Sequence, residues 1–294
     1  METRWLYVTS EELPALREAS GKVCIIPMGC VEKHGLHLPL GQDIIQSSYI
    51  CHKASQIETV TVFPDFIFGD VPGRIPYNPV GNVTLPLETQ LLLLEQLCEQ
   101  ISLNGYNKIL LFNGHGGNVA LLNAFNRNLL NKRRDFVFAW VNCALPAPHT
   151  LAEILIEKGS GSIPELTAED EEILLRCHKN NMVTGHACFG ETAYMMGICP
   201  ESVHLDRLGI ESGLSTGKSQ KYTEAGLIPL NYGWDLDYPN AYAGDDPYEC
   251  NERIGKAALR VESERLANAI KVYKEDTLLL EELEKMQKAW DKND

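Results

Sequence analysis

A chain of 294 residues, 44% hydrophobic and 22% charged, is long enough to bury one large core. Its 26 Lys and Arg against 40 Asp and Glu leave a formal charge of −14, which opposes the counterion release that rewards nucleic-acid binding. No run reaches the ~18–20 consecutive apolar residues of a membrane span. Nucleic acid and membrane are thus excluded as partners in favour of a small molecule. The opening METRWLYVTSEELPALREAS lacks the basic-then-apolar layout of a secretory leader and points to the cytoplasm. Nine cysteines, an odd number scattered without C-x-x-C spacing, read as reduced core residues.

In chain order, Thr9 and Glu12 form a capping-box pair before a short helix, and Lys22 to Pro27 is an apolar run of strand length. A helix follows from Asp43 to Ile57 and a strand from Thr59 to Phe63, and prolines break any period between 64 and 87. Glu88 to Leu103 is a leucine-rich helix stopped at Asn104-Gly105, and Lys108 to Phe112 is a strand running into Asn113-Gly-His-Gly-Gly-Asn118. A helix to about Arg134 and a strand from Phe136 to Cys143 complete this rhythm. Strands that are apolar throughout, separated by helices, predict an α/β fold whose parallel or mostly parallel sheet is covered on both faces.

Beyond this point Ala168 to Asn180 and Glu191 to Ile198 are predicted helices, and 205 to 247 is read as mostly loop. Arg253 to Tyr273 carries an apolar face through Leu259, Leu266 and Ile270. Residues 1–275 are taken as one domain. The tail, 276–294, is a separate amphipathic helix with Leu279, Leu283, Met286 and Trp290 in one stripe.

The densest chemistry lies in Gly29-Cys-Val-Glu32-Lys-His34-Gly-Leu-His37-Leu-Pro-Leu-Gly-Gln-Asp43, between an apolar strand and a helix. That is the carboxyl edge of the sheet, where open α/β folds bind ligands. Glu32 and His34, two apart in extended chain, point the same way, and Asp43 has two oxygens with which to bridge two cations. Any one of these residues alone is ordinarily a cap or a satisfied core group; four in one loop read as metal ligands. His115 stands on the same sheet edge in a glycine-rich turn. Glu191, at the start of another helix, is a fifth ligand candidate, and His186 is the candidate for proton transfer.

Together, the string at 29–43, the N-G-H-G-G-N at 113–118 and the H-A-x-x-x-E-T at 186–192 resemble the creatininase family of amidohydrolases. Gly244-Asp-Asp-Pro247 with Asn251 to Gly255 is similar to that family's last loop and helix. The resemblance implies a three-layer α/β/α sandwich, a homohexamer and two divalent metals per chain, whether Zn²⁺, Mn²⁺ or Fe²⁺. Glu32 and His115 would hold one metal and His34 the other, with Asp43 bridging. The family's glutamate two positions after the motif histidine is replaced here by Gly117, so Glu191 is expected to complete the second position. His186 matches the histidine thought to act on substrate, and both it and Glu191 are the candidate catalytic residues.

The function implied is metal-dependent hydrolysis of a cyclic amide or another small C–N amide bond. The rivals are hydrolysis of a C–C bond in a cyclic keto-polyol and a silent metal-binding member. His37, Asn113, Asp70 and Arg74 are candidate substrate contacts. The stretch from 69 to 82 departs from the family's usual run at this place, so creatinine itself is not expected as the substrate.

Overall fold

The computed structural model describes residues 1–71, 80–227 and 232–291. Its elements are α1 (Leu13–Ala19), β1 (Val23–Met28), α2 (Gln42–Ile57), β2 (Thr61–Val62), α3 (Leu87–Leu103), β3 (Lys108–Asn113), α4 (Asn118–Leu129), β4 (Val137–Asn142), α5 (His149–Lys158), α6 (Ala168–Lys179), α7 (Phe189–Ile198), α8 (Gln220–Glu224), α9 (Gly233–Asp237), α10 (Glu252–Glu275) and α11 (Leu278–Asp291). All pairings among the named strands are parallel, and the order across the sheet is β2-β1-β3-β4.

Successive side chains leave a strand on opposite faces, and that alternation makes the layers. Val23 and Ile25 of β1, with Leu110 and Phe112 of β3, pack on one face with Ile50, Cys51 and Ala54 of α2 and with Leu266 and Ile270 of α10. Cys24, Ile26 and Met28, with Ile109 and Leu111, pack on the other with Leu94 and Cys98 of α3 and Leu121, Leu122 and Phe125 of α4. The central strands β1 and β3 are buried on both faces and almost wholly apolar, the edge strand β4 is half-buried, and the expected α/β layering is the one observed.

Several elements differ in extent from the sequence expectation. The strand expected over 59–63 is reduced to Thr61–Val62, and the helix expected to reach Arg134 stops at Leu129. Helix α5 was not anticipated; its Leu151, Ala152 and Leu155 fill the core beside α6. Two short helices, α8 and α9, interrupt the segment read as loop. In α11 Leu280 and Leu283 turn inward, while Leu278 and Leu279 are exposed. Among the described residues no helix is long and apolar enough to cross a membrane.

Candidate metal centre

Register explains why distant sequence motifs meet. β1 and β3 are parallel neighbours with Met28 opposite Asn113, so the loops that follow them emerge side by side. Between them lies the first turn of α2. A Cβ on Gly114 would stand 2.1 Å from Ser47 Oγ and 2.8 Å from the Asp43 carbonyl, so only glycine lets the β3 loop cross this turn. From the far side, His186 pairs with Ala243 through mutual backbone hydrogen bonds of 2.8 Å, which bring the start of α7 over the same place.

Glu32, His34, Asp43, His115, His186 and Glu191 are thereby brought together, with Cys30 beside them. Asp43 Oδ1 lies 3.3 Å from His34 Nε2, and its Oδ2 lies 3.1 Å from His115 Nδ1. Glu32 Oε1 is 2.9 Å from His115 Nδ1 and 3.7 Å from His186 Nδ1, and Glu191 Oε2 is 3.8 Å from His34 Nε2. Cys30 Sγ faces Asp43 Oδ2 at 3.0 Å.

The histidines share one arrangement. His34 Nδ1 is 3.2 Å from the Glu32 carbonyl, His115 Nε2 is 3.0 Å from the Asp70 carbonyl, and His186 Nε2 is 2.8 Å from the Lys33 carbonyl. A carbonyl only accepts, so each of these nitrogens carries a hydrogen and donates it. The other nitrogen of each ring then turns a lone pair toward carboxylate oxygens. Lone pairs facing one another near 3 Å repel unless a proton or a metal cation stands between them. Metal-bound histidines are held this way, with the second ring nitrogen donating to a fixed oxygen. Among the described residues, Glu32 Oε1 and His34 Nε2 are buried without a hydrogen-bond partner. The donor set therefore fits divalent cations.

The electrostatics show the same tension. Burial disfavours protonation of His34, yet Asp43, Glu191 and Glu32 outweigh it and push the ring up to about 10. His115 is likewise raised against burial by Glu32. Burial, together with Asp43 and Glu32, pushes Glu191 up to about 7 against the pull of His34. Burial and the neighbouring His34 push His186 down to about 4, so it stands as a neutral imidazole. His34 and His186 are stacked, with centroids 4.0 Å apart.

Glu191 is aimed by the backbone. Ala187 has a positive φ of 56°, an uncommon conformation for a residue with a side chain, and its N–H donates to Glu191 Oε2 at 2.5 Å. A Cβ on Gly117 would meet His115 Nε2 at 2.4 Å and the Asp70 carbonyl at 2.5 Å, so no glutamate fits that position as the chain is folded.

The remaining candidate substrate contacts are placed differently. His37 is buried and turned into the protein, with Nε2 3.0 Å from the Ala187 carbonyl. Asn113 braces the glycine-rich turn: its amide donates to the His115 carbonyl and Asn142, and its oxygen accepts from the His115 N–H and Asn118. Asp70 contributes its backbone carbonyl to His115. Arg74 lies outside the described residues.

A cleft of about 600 Å³ opens over the cluster, lined by Glu32, His115, His186 and Glu191 and walled by Trp234 and Tyr238. Trp234 stands edge-on to His186, with centroids 5.4 Å apart. Trp234 comes from α9 and Tyr238 is the residue that follows it, in a segment with no recognisable motif to mark it. Cys30, two residues before Glu32, has no motif of its own in the sequence to set it apart from the other cysteines.

No curated protein sequence matches the chain. Solved structures are similar in fold. One is a candidate creatinine amidohydrolase from Bacteroides fragilis NCTC 9343, at TM-score 0.67 and 22% identity, covering 95% of this chain and 99% of that one. A creatininase crystal structure aligns at TM-score 0.67 and 18% identity over 94% and 99% of the two chains. A creatininase variant of Zn–Zn type aligns at TM-score 0.68 and 17% identity over 94% and 100%. The sequence model of the family described as creatinine amidohydrolase matches residues 7–270. With that match spanning most of its length, the chain belongs to the creatininase family.

Proposed function

We propose that this protein is a dinuclear metal-dependent hydrolase that opens a cyclic amide or cleaves another small non-peptide C–N bond. The observation that carries the reading is Asp43, a buried carboxylate whose two oxygens face two different histidines. Glu32, His115 and Asp43 Oδ2 would hold one cation, and His34, Glu191 and Asp43 Oδ1 the other. Bound there, two divalent ions, whether Zn²⁺, Mn²⁺ or Fe²⁺, supply Lewis acidity toward a carbonyl and bring a water's pKa into the neutral range.

The chain's own groups do the rest. His186 commits Nε2–H to the Lys33 carbonyl and keeps Nδ1 bare. Nδ1, 3.7 Å from Glu32 Oε1, is placed to pass a proton taken up there to a leaving nitrogen. Trp234 and Tyr238 wall a cleft within the size range of small-molecule sites, and they suit a flat or ring-shaped substrate. Within the same reading the protein works in the cytoplasm as a homohexamer.

The test is metal analysis of the purified protein, then chelation, reloading with single divalent ions and a screen of cyclic amides, formamides and cyclic ketones. Two ions per chain and C–N hydrolysis restored by one of them are expected. Hydrolysis that survives complete chelation would sink the reading, and turnover confined to cyclic ketones would replace it with C–C hydrolysis.

A further inference from the structure

We propose that Cys30 is a ligand of the cation position formed by Glu32, Asp43 and His115, making it a closed, sulfur-preferring anchor and leaving the His34–Asp43–Glu191 position with the open place. This rests on the dinuclear reading above and goes beyond it by dividing the labour between the ions.

Cys30 and Glu32 are two apart in extended chain, so their side chains leave on the same side. Sγ is 3.0 Å from Asp43 Oδ2, the oxygen that is itself 3.1 Å from His115 Nδ1. One donor atom each from Cys30, Glu32, Asp43 and His115 all lie within 4.8 Å of one another, and all four residues are buried. Donors about 2.0–2.3 Å from a tetrahedral zinc ion stand ~3.3–3.8 Å apart, so side-chain shifts of about 1 Å bring this group to coordination spacing. Glu32 Oε1, within the group, has no hydrogen-bond partner among the described residues.

A core cysteine sits among apolar atoms, as Cys24 and Cys98 do on one sheet face and Cys51 on the other. Cys30 faces a carboxylate and an imidazole instead. Burial and Asp43 push its thiol up, so without a cation it is an S–H donor to Asp43. When a cation binds, that proton leaves to solvent and sulfur takes its place as an electron-pair donor.

The two positions then differ in kind. Four protein donors, one of them sulfur, fill a tetrahedral ion, as in structural zinc sites; three protein donors leave a place for water or substrate, as in catalytic ones. The chain offers three at the other position, from His34, Asp43 and Glu191. A thiolate also biases the closed position toward Zn²⁺ and Co²⁺ and away from Mn²⁺.

The test is X-ray absorption of the zinc-loaded wild-type protein, with Co²⁺ loading of wild type and Cys30→Ser followed by near-ultraviolet absorption. One sulfur at about 2.3 Å per two zinc ions is expected. So is a sulfur-to-cobalt charge-transfer band in wild type that is lost in Cys30→Ser, together with a gain in Mn²⁺ over Zn²⁺ preference. The zinc measurement needs no variant and decides the matter even if Cys30→Ser does not fold. Two bound ions with only nitrogen and oxygen neighbours overturn this assignment alone. A charge-transfer band that persists in Cys30→Ser does the same, and a protein that binds no metal overturns the dinuclear reading with it.

Discussion

Glu191 is held out of water between His34 and the Ala187 N–H, and its charge has value only if something positive stands beside it. Glu191→Gln keeps the shape and removes the charge. The variant is expected to stay folded, bind one ion fewer per chain and lose hydrolysis, as read by metal analysis and turnover; two retained ions would show that Glu191 only caps its helix. Asp43→Asn is expected to empty or disorder both proposed positions, because its two oxygens face two different histidines. His186 separates proton transfer from metal binding. His186→Asn is expected to keep both ions while kcat falls by about 10²–10⁴-fold, the usual worth of a placed acid or base.

At the level of elements, the helix that carries Glu191 is set by its contact with α10. The two helices touch backbone to backbone: a Cβ on Gly255 would stand 2.1 Å from the Ala193 carbonyl and 2.6 Å from the Gly197 N. Gly255→Ala is expected to cost about 1–3 kcal/mol in a denaturant melt, as overpacking does, and to weaken metal binding by moving α7. An unchanged melt would mean that the helices separate freely. The start of α10 is tied to α6 by Asp170, which completes the capping box with Thr167 and accepts hydrogen bonds from Arg253 and Asn251. Burial alone would raise its carboxyl, but Arg253 and the cap hold it well below the ordinary aspartate range. Its stabilisation is therefore complete above the unfolded pKa of about 3.9 and is lost as pH falls through the lower folded value. Asp170→Asn is expected to flatten the acid limb of stability against pH, which melts between pH 2 and 6 would show.

For the whole molecule, the proposed ions would be held by three buried carboxylates and would link binding to folding, because the unfolded chain does not assemble the set. Chelation is expected to lower Tm by ~4 °C, the shift that corresponds in a chain of this length to about 2.7 kcal/mol from a ligand present at roughly 100 times its Kd. A Tm indifferent to chelator would speak against buried, tightly held ions. Assembly is read separately by light scattering. The proposed hexamer predicts a mass near six chains at micromolar concentration, and a clean monomer would remove it. The exposed Leu278 and Leu279 of α11 are available to such a contact, whereas Leu280 and Leu283 already pack on their own domain.

The sequence by itself determined what depends on neighbours along the chain. Strands that are almost wholly apolar pointed to a sheet covered on both faces, and polar clusters just after two of those strands pointed to a candidate site at one sheet edge. Those signals are local, since the two-residue strand period and the i, i+2 spacing of Glu32 and His34 need no distant partner. Only the tertiary structure decided what depends on segments far apart in sequence. It placed Glu191 beside His34, turned His37 onto the Ala187 carbonyl and tied Asn113 into its own turn. It also brought Trp234 against His186 and set Cys30 against Asp43. A side chain's rotamer answers to whatever packs against it, and for these residues that partner is supplied by the register of the sheet and the helices laid across it.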